Sequence, residues 1–212
     1  QWLLLGGRFM SKETLNSETA YQLLIKDIIT TEADFKEDKN RWILHCIYSG
    51  IAAGKIADKL GLDSDYAKAL GYIHDIGRRI SHPKHPIEGF NYMKELGYEE
   101  EGSICLTHSF IDNDITLAAG PFPPQKAYDF MKPHLLAKEC NIYDNIIQLC
   151  DLFCLETGFT TIEKRILDIS LRKGVYPSSK RHFIKTIELK ERLEEKLECG
   201  LYDLFGEIPK DD

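Results

Sequence analysis

Apolar residues recur at steps of three and four along most of the chain, and no stretch alternates convincingly between apolar and polar residues. This spacing places the apolar residues on one face of an α-helix, whereas a strand would need a period of two. Gly and Pro residues separate the helical stretches. The pattern predicts an all-α fold, with a first helix from Ser17 and further helices near residues 37–60, 64–76, 87–96, 99–107, 124–133, 142–156, 161–172 and 178–199.

The ends of the early helices carry residues typical of caps. The Ser17 hydroxyl suits the free amides at the start of the first helix, and Asp63 suits the helix that follows it. Gly61 and Gly77 supply the stops. The chain has 212 residues, of which 43% are hydrophobic, a size and composition typical of one ordered domain.

Net charge, hydrophobicity and cysteine spacing exclude some classes of binding partner and cellular environment. A net charge of −7 argues against bulk nucleic acid, because proteins that track phosphates carry a positive excess. The apolar run Trp2–Leu5 is far shorter than the ~20 residues of a membrane span. The six cysteines show no framework spacing, so we expect a soluble, cytoplasmic protein with reduced thiols. Cys150 and Cys154 lie one helical turn apart and are interpreted as small buried residues rather than a metal-binding pair.

Histidine and aspartate residues are the most informative part of the sequence. The pair His74-Asp75 is preceded by His45 and followed by His85 and His108. A further aspartate, at position 151, lies in an apolar helical stretch, where an ionised carboxylate is costly unless it is paired or bound to a cation. Four imidazoles and two carboxylates form a donor set that suits Fe, Mn, Zn, Co or Mg ions, and it is large enough for two of them.

The order of these residues resembles that of the HD-domain metal-dependent phosphohydrolases, in which a His, a His-Asp pair and a distant Asp lie on separate helices. Here His45 ends the string Arg41–His45, His74-Asp75 is followed by Ile76-Gly77, and Asp151 ends the string Tyr143–Asp151. The resemblance covers about residues 37–160 and implies a compact multi-helix HD-domain bundle. We interpret residues 1–9 as a leader, residues 10–212 as a single domain, and residues from about 161 to 205 as its C-terminal helical extension.

Two further segments are similar to the branch of this family that has two extra histidines, which includes the HD-GYP phosphodiesterases and the symmetrical diadenosine tetraphosphatases. They are His85–Gly89 and Leu106–His108. The chain lacks a Gly-Tyr-Pro signature after its His-Asp pair, so turnover of cyclic dinucleotides is not supported. His82 competes with His85 as a candidate ligand, and we prefer His85 because it begins a His-Pro-x-x-Gly segment.

The resemblance implies a ligand set for each metal. His45, His74, Asp75 and Asp151 would hold the first ion. Asp75 would also bridge to a second ion, held by His85 and His108. Two ions about 3.5–4 Å apart can activate water against a phosphate ester or anhydride.

Three arginines are candidates for contact with the substrate. Arg78 and Arg79 follow the His-Asp pair, where they would clamp phosphate unless they are simply solvated cations. The mixed charges of the C-terminal region are typical of a solvated helical hairpin; in the functional alternative, Arg165 or Lys173 closes over the substrate from this region. Asp75 and Arg78 are thus the expected catalytic residues, and Arg78, Arg79 and Arg165 the expected substrate-binding ones.

The sequence therefore predicts an enzyme, a metal-dependent phosphohydrolase that acts on a small phosphorylated molecule such as a nucleotide. Two alternatives stay open: a di-iron oxygenase of the same superfamily, and a non-catalytic nucleotide-binding sensor. A homodimer is also left open. His134 and His182 have no evident partners and are interpreted as surface residues, and Asp112–Asp114 as a turn or helix cap.

Overall fold

Helices form nearly all of the regular structure. A computed structural model describes residues 14–26, 41–118 and 121–206. The prediction of an all-α fold is confirmed, because the described residues contain one short two-stranded sheet beside many helices. No helix in these ranges is both long enough and apolar enough to cross a membrane. The proposed leader, residues 1–9, lies outside the described residues.

The helices follow one another in chain order. They are α1 (Ser17–Ile25), α2 (Arg41–Lys59), α3 (Ser64–Ile73), α4 (His85–Glu95), α5 (Glu99–Gly102), α6 (Ile104–Thr107), α7 (Gln125–Ala137), α8 (Ile142–Phe153), α9 (Ile162–Lys173) and α10 (Ser179–Leu197). Short 3₁₀ turns span Ile76–Arg79, Ile111–Asn113 and Leu201–Leu204. The strands β1 (Cys154–Leu155) and β2 (Gly158–Phe159) pair antiparallel between α8 and α9.

Several predicted boundaries differ from the observed ones. Asn16 rather than Ser17 caps α1, because its side chain accepts from the Thr19 amide at 2.8 Å. The predicted helix to residue 76 ends at Ile73 and gives way to a 3₁₀ turn, and the predicted helix to residue 156 ends at Phe153, where β1 begins. The first break lies at His74-Asp75, and the second lies two residues after Asp151.

Small residues allow α2 and α3 to pack with their backbones almost in contact. A Cβ atom on Gly71 would lie 2.5 Å from the Cα atom of Gly50, and one on Gly50 would lie 2.3 Å from the Tyr72 ring. Any larger residue would force the two helices apart. This close approach brings His45 of α2 next to His74, which follows α3 directly.

The turn after α3 packs equally tightly on the start of α4. A Cβ atom on Gly77 would lie 2.1 Å from the carbonyl oxygen of His85 and 2.4 Å from the amide nitrogen of Gly89. A side chain at position 77 would therefore clash with α4, and only glycine fits there. The packing holds His85, the first residue of α4, against the segment that carries Asp75.

Helix α8 is fixed by buried polar contacts. Asn141 and Asp144 form a capping box at its start, and the buried Asp144 also accepts from the Thr107 hydroxyl at 2.9 Å. Gln148 donates to the carbonyl oxygens of Thr107 at 3.2 Å and Phe110 at 2.9 Å. These bonds tie the segment that contains His108 to the helix that carries Asp151.

Candidate metal centre

Four of the predicted ligands converge where α2, α3 and α8 meet. His45 Nε2 lies 3.1 Å from His74 Nε2 and 3.1 Å from Asp151 Oδ1. Asp75 Oδ2 lies 4.0 Å from His45 Nε2 and 3.9 Å from His74 Nε2. One ligand atom from each of these four residues lies within 4.8 Å of the others.

A second group shares Asp75 with the first. Its other carboxylate oxygen, Oδ1, lies 3.1 Å from His85 Nε2 and 3.6 Å from His108 Nε2. The three residues again offer ligand atoms that all lie within 4.8 Å of one another. Asp75 therefore presents one oxygen to each group, which is the arrangement of a bridging carboxylate.

The four imidazoles are oriented in the same way. In each ring Nδ1 faces a backbone carbonyl oxygen and is assigned as the protonated nitrogen, which leaves the Nε2 lone pair directed at the carboxylates. The Nδ1 partners are Cys154 for His45 at 2.9 Å, Gly71 for His74 at 2.7 Å, His82 for His85 at 2.8 Å and Ile104 for His108 at 3.2 Å. Such an outer hydrogen bond fixes the tautomer of metal-ligating histidines.

The centre fits a cation because acceptors face one another inside the protein. Asp75 Oδ1 and His85 Nε2 are buried and have no hydrogen-bond partner. Buried acceptors without a donor are costly, and a divalent ion would satisfy them together. The donor set of imidazole nitrogens and carboxylate oxygens suits Fe, Mn, Zn or Co, whereas Mg prefers oxygen ligands.

The electrostatics of the centre favour the metal-binding forms of Asp75 and His108, whereas in the absence of a cation Asp151 and Asp75 outweigh the effect of burial and raise the pKa of His74. Burial alone would raise the pKa of Asp75, but the neighbouring His85, Arg78 and His74 lower it well below its ordinary range. Burial lowers the pKa of His108 to about 4, so its ring is neutral at pH 7. A deprotonated carboxylate and a neutral imidazole are the forms that bind a metal ion.

The centre lies at the bottom of a cleft of about 1040 Å³. Its described walls carry six cationic and four anionic side chains, in a chain whose net charge is −7. They are Arg41, Arg78, Lys84, Arg165, Arg172 and Lys173, against Asp75, Asp151, Glu156 and Asp168. Because Asp75 and Asp151 belong to the candidate centre, the remainder of the cleft is positive and attracts anions.

The predicted substrate-binding arginines occupy different places. Arg78 lines the cleft and donates from Nε to Asp75 Oδ2, and Arg165 lines the cleft from α9. Arg79 is outside the residues that line the cleft. Its guanidinium donates to the Tyr92 hydroxyl at 3.0 Å and to the Lys26 carbonyl at 2.5 Å, so it links the residue that follows α1 to α4.

The interpretation of His182 as a surface residue is wrong. His182 of α10 is 2% exposed and lines the cleft, and its Nδ1 lies 3.5 Å from the Thr186 hydroxyl. The sequence contained a signal for this position, because His182 shares a helix face with Leu189 and Leu193, both of which are buried. His134 is partly buried as well, stacked on Phe130.

Two further interpretations concern residues outside the centre. Cys150 and Cys154 are buried free thiols and belong to neither group of candidate ligands. Asp112 and Asn113 lie in a 3₁₀ turn with left-handed φ values of 55° and 58°, in agreement with the predicted turn.

Comparison with known proteins yields one match. The model of the HD domain family matches residues 42–154, which is more than half of the chain. No curated protein and no solved structure matches the chain. HD domain proteins are in general metal-dependent phosphohydrolases that bind divalent ions, and the matched residues include the candidate ligands from His45 to Asp151. The match and the convergence of these ligands show that the chain belongs to the HD domain family.

Proposed function

We propose that this protein is a metal-dependent phosphohydrolase that acts on a small phosphorylated substrate, a nucleotide, and that it uses two divalent ions. The observation that carries the proposal is the position of Asp75, whose two oxygens face two separate groups of histidines. A centre with one metal would need only one of these groups. In this proposal, His85 and His108 correspond to the two extra histidines of one branch of the family.

The proposed ligands divide between the two ions. His45, His74, Asp75 and Asp151 hold the first, and Asp75, His85 and His108 hold the second. His85 is preferred over His82 because its Nε2 faces Asp75 at 3.1 Å, whereas His82 is exposed and contacts Arg78 through Nδ1 at 3.3 Å. Ions bound in this way supply an activated water and neutralise phosphate oxygens.

The chain's own residues bind and orient the phosphate. Arg78 lines the cleft, donates from Nε to Asp75 and contacts His82 through one terminal nitrogen, and the remaining N–H groups of its terminal nitrogens are the proposed donors to phosphate. A guanidinium fork can bind two phosphate oxygens and stabilise the charge that develops on them. Arg165 is the second proposed contact, from α9 on the wall of the same cleft.

Support for a nucleotide comes from the apolar part of the cleft. Phe122 is 50% exposed and lines the cleft, as do the buried Phe110 and Met131. An exposed aromatic ring offers a stacking surface for a base, since stacking on an aromatic side chain contributes about 1–3 kcal/mol per base. The cleft volume also lies at the upper end of the range of about 300–1,000 Å³ for small-molecule sites.

Elemental analysis of protein purified without chelator, followed by a hydrolysis screen, tests the proposal. The screen compares nucleotides with simple phosphate esters in the presence of Mn, Fe, Co, Zn or Mg. We expect up to two ions per chain and release of phosphate or a nucleoside monophosphate. In ¹⁸O-labelled water under argon, the label should enter the product at an undiminished rate. Oxygen consumption on an organic substrate, with no anaerobic turnover of any phosphate compound, would instead support a di-iron oxygenase.

A further inference from the structure

We propose that helix α9 forms a second anion-binding subsite in the cleft, made by Arg165, Arg172 and Lys173, so that the substrate carries at least two phosphate groups. The inference rests on the proposed phosphohydrolase function and deepens it. One phosphate would lie at the metal centre beside Arg78. The other would lie against α9.

The spacing of the charged residues on α9 places them on the cleft side. Arg165, Asp168, Ile169, Arg172 and Lys173 all line the cleft. They fall at positions i, i+3, i+4, i+7 and i+8, which is one face of a helix. Ile162 and Ile169 of the same helix are buried, whereas Leu167 and Leu171 are 60% and 78% exposed.

Helix α9 packs on the core through the buried Ile162 and Ile169, and its basic residues lie on the cleft side of the same helix. Packing on the core explains the isoleucines but requires no basic residue at the cleft. Arg172 and Lys173 are exposed there, so they are accessible to an anion that enters the cleft.

Two of the cations have donors that no carboxylate engages. Lys173 is exposed to the cleft and forms no ion pair with a carboxylate in the described ranges, and the Nε of Arg165 is buried without a hydrogen-bond partner. Burial lowers the pKa of Lys173, and the charges of Arg78, Arg172 and Arg165 add to this effect while Asp151 opposes it. An anion bound among these four positive charges would reduce the repulsion between them.

A purely structural role accounts for only part of this arrangement. Asp168 accepts from Arg165 at 3.1 Å and from Arg172 at 2.7 Å, so it holds both guanidiniums toward the cleft. Arg172 and Lys173 lie in the last turn of α9, where basic residues also interact favourably with the helix dipole. The dipole does not explain why these residues line a cleft, or why the Nε of Arg165 is buried without a partner. One carboxylate leaves the three cations with a surplus of positive charge.

The subsite lies outside the part of the chain that the family shares. The family match ends at residue 154, whereas α9 covers Ile162–Lys173. The metal centre therefore lies within the domain that the family shares, and Arg165, Arg172 and Lys173 lie outside it. Residues outside the shared domain can give this chain its own specificity for a second phosphate.

Binding of two non-hydrolysed probes tests the subsite directly. The probes are inorganic phosphate and imidodiphosphate, titrated by calorimetry into the metal-containing protein, with the metal content measured before and after. In the double variant Arg172→Gln/Lys173→Gln, we expect the dissociation constant for imidodiphosphate to rise about tenfold or more, because two charge-assisted contacts are lost. The dissociation constant for phosphate should change by less than about twofold.

Lys164→Gln is the matched control, because it removes a cation from the same helix at a position that does not line the cleft. It should leave both dissociation constants unchanged. Equal weakening of both probes in the double variant would place its cations at the metal centre and overturn the second subsite, as would an unchanged affinity for imidodiphosphate.

The two proposals fail in different ways. A protein that hydrolyses phosphate compounds, but whose double variant binds imidodiphosphate as the wild type does, retains its proposed function and loses the subsite. A protein that contains no metal and hydrolyses nothing loses the proposed function, even if the double variant still weakens binding of imidodiphosphate.

Discussion

The Nε2 atoms of His45 and His74 lie 3.1 Å apart in the interior of the protein. Because Nδ1 of each ring faces a carbonyl oxygen, at 2.9 Å and 2.7 Å, neither ring has a proton left for the other. Two lone pairs at this distance repel each other. A bound cation or one shared proton would relieve this repulsion, and the carboxylate of Asp151, 3.1 Å from His45, would stabilise either. The convergence of one ligand atom from each of four residues within 4.8 Å favours the metal ion.

His74→Ala should remove the first ion and lower the melting temperature. A ligand that binds only the folded state at 100 times its dissociation constant stabilises that state by about 2.7 kcal/mol. For a protein of this size the corresponding loss is about 5–10 °C. Elemental analysis and calorimetric melting measure the two effects, and chelator added to the wild type should reproduce the second.

His82→Ala is the control for that experiment. His82 lies in the same cleft and is also an imidazole, but it is exposed and outside both ligand groups. Its replacement should leave metal content and melting temperature close to those of the wild type. Metal lost from His82→Ala and retained by His74→Ala would reverse the assignment.

His108→Ala should separate the two ions. His108 faces Asp75 Oδ1 and belongs only to the second group. We therefore expect metal content to fall to one ion per chain while His45, His74 and Asp151 retain the first. Loss of all metal from this variant, or a wild type that never exceeds one ion, would reduce the centre to a single-metal site.

The sequence predicted the metal centre better than it predicted the cleft around it. The order of His45, His74-Asp75 and Asp151 is a pattern along the chain. His45 and Asp151 lie on helices whose apolar faces can be identified in the sequence, and His74-Asp75 follows directly after another helix. The close contacts at Gly71 and Gly77, which bring these helices together, depend on the three-dimensional arrangement of neighbours. Spacing alone does not reveal them.

The positions of the arginines illustrate the same limit. Arg78 and Arg79 are adjacent and chemically identical, yet one lines the cleft and the other packs on Tyr92. Their side chains leave a 3₁₀ turn in different directions, whereas the sequence predicted a helix that ends at residue 76, before either arginine. His182 was missed for another reason, since a lone imidazole among charged residues resembles a solvated one until its helix face is compared with the leucines that follow.

Arg78→Ala should reduce kcat/KM by about 10²–10³-fold without removing metal, as expected when a donor to a developing oxyanion is lost. Arg78→Lys should recover part of the activity, because it keeps the charge but not the fork. Steady-state kinetics and elemental analysis distinguish two roles. Arg78 also donates to Asp75 Oδ2, so loss of metal from Arg78→Ala would mean that it holds the ligand rather than the phosphate.

His182 should make the folded state sensitive to pH between about 4 and 6.5. Burial lowers its pKa to about 4 in the folded protein, whereas the unfolded chain has the ordinary value of 6.5, and the charge of Asp151 opposes the shift only in part. As the pH falls through 6.5, the unfolded chain gains a proton that the folded protein cannot accept until about pH 4. His182 therefore destabilises the fold progressively over that interval and contributes no such loss above it.

The variant His182→Gln tests this pH dependence against the wild type. Melting temperatures of both proteins, measured from pH 7.5 to pH 4.5, should fall with acidification, because the other histidines are present in each. The wild type should fall more steeply, so the difference between wild type and variant becomes smaller or changes sign at low pH. Since any packing defect of the glutamine shifts its curve by a constant amount, the slope is the relevant measurement. Parallel curves would show that His182 takes up its proton as readily in the folded protein as in the unfolded chain.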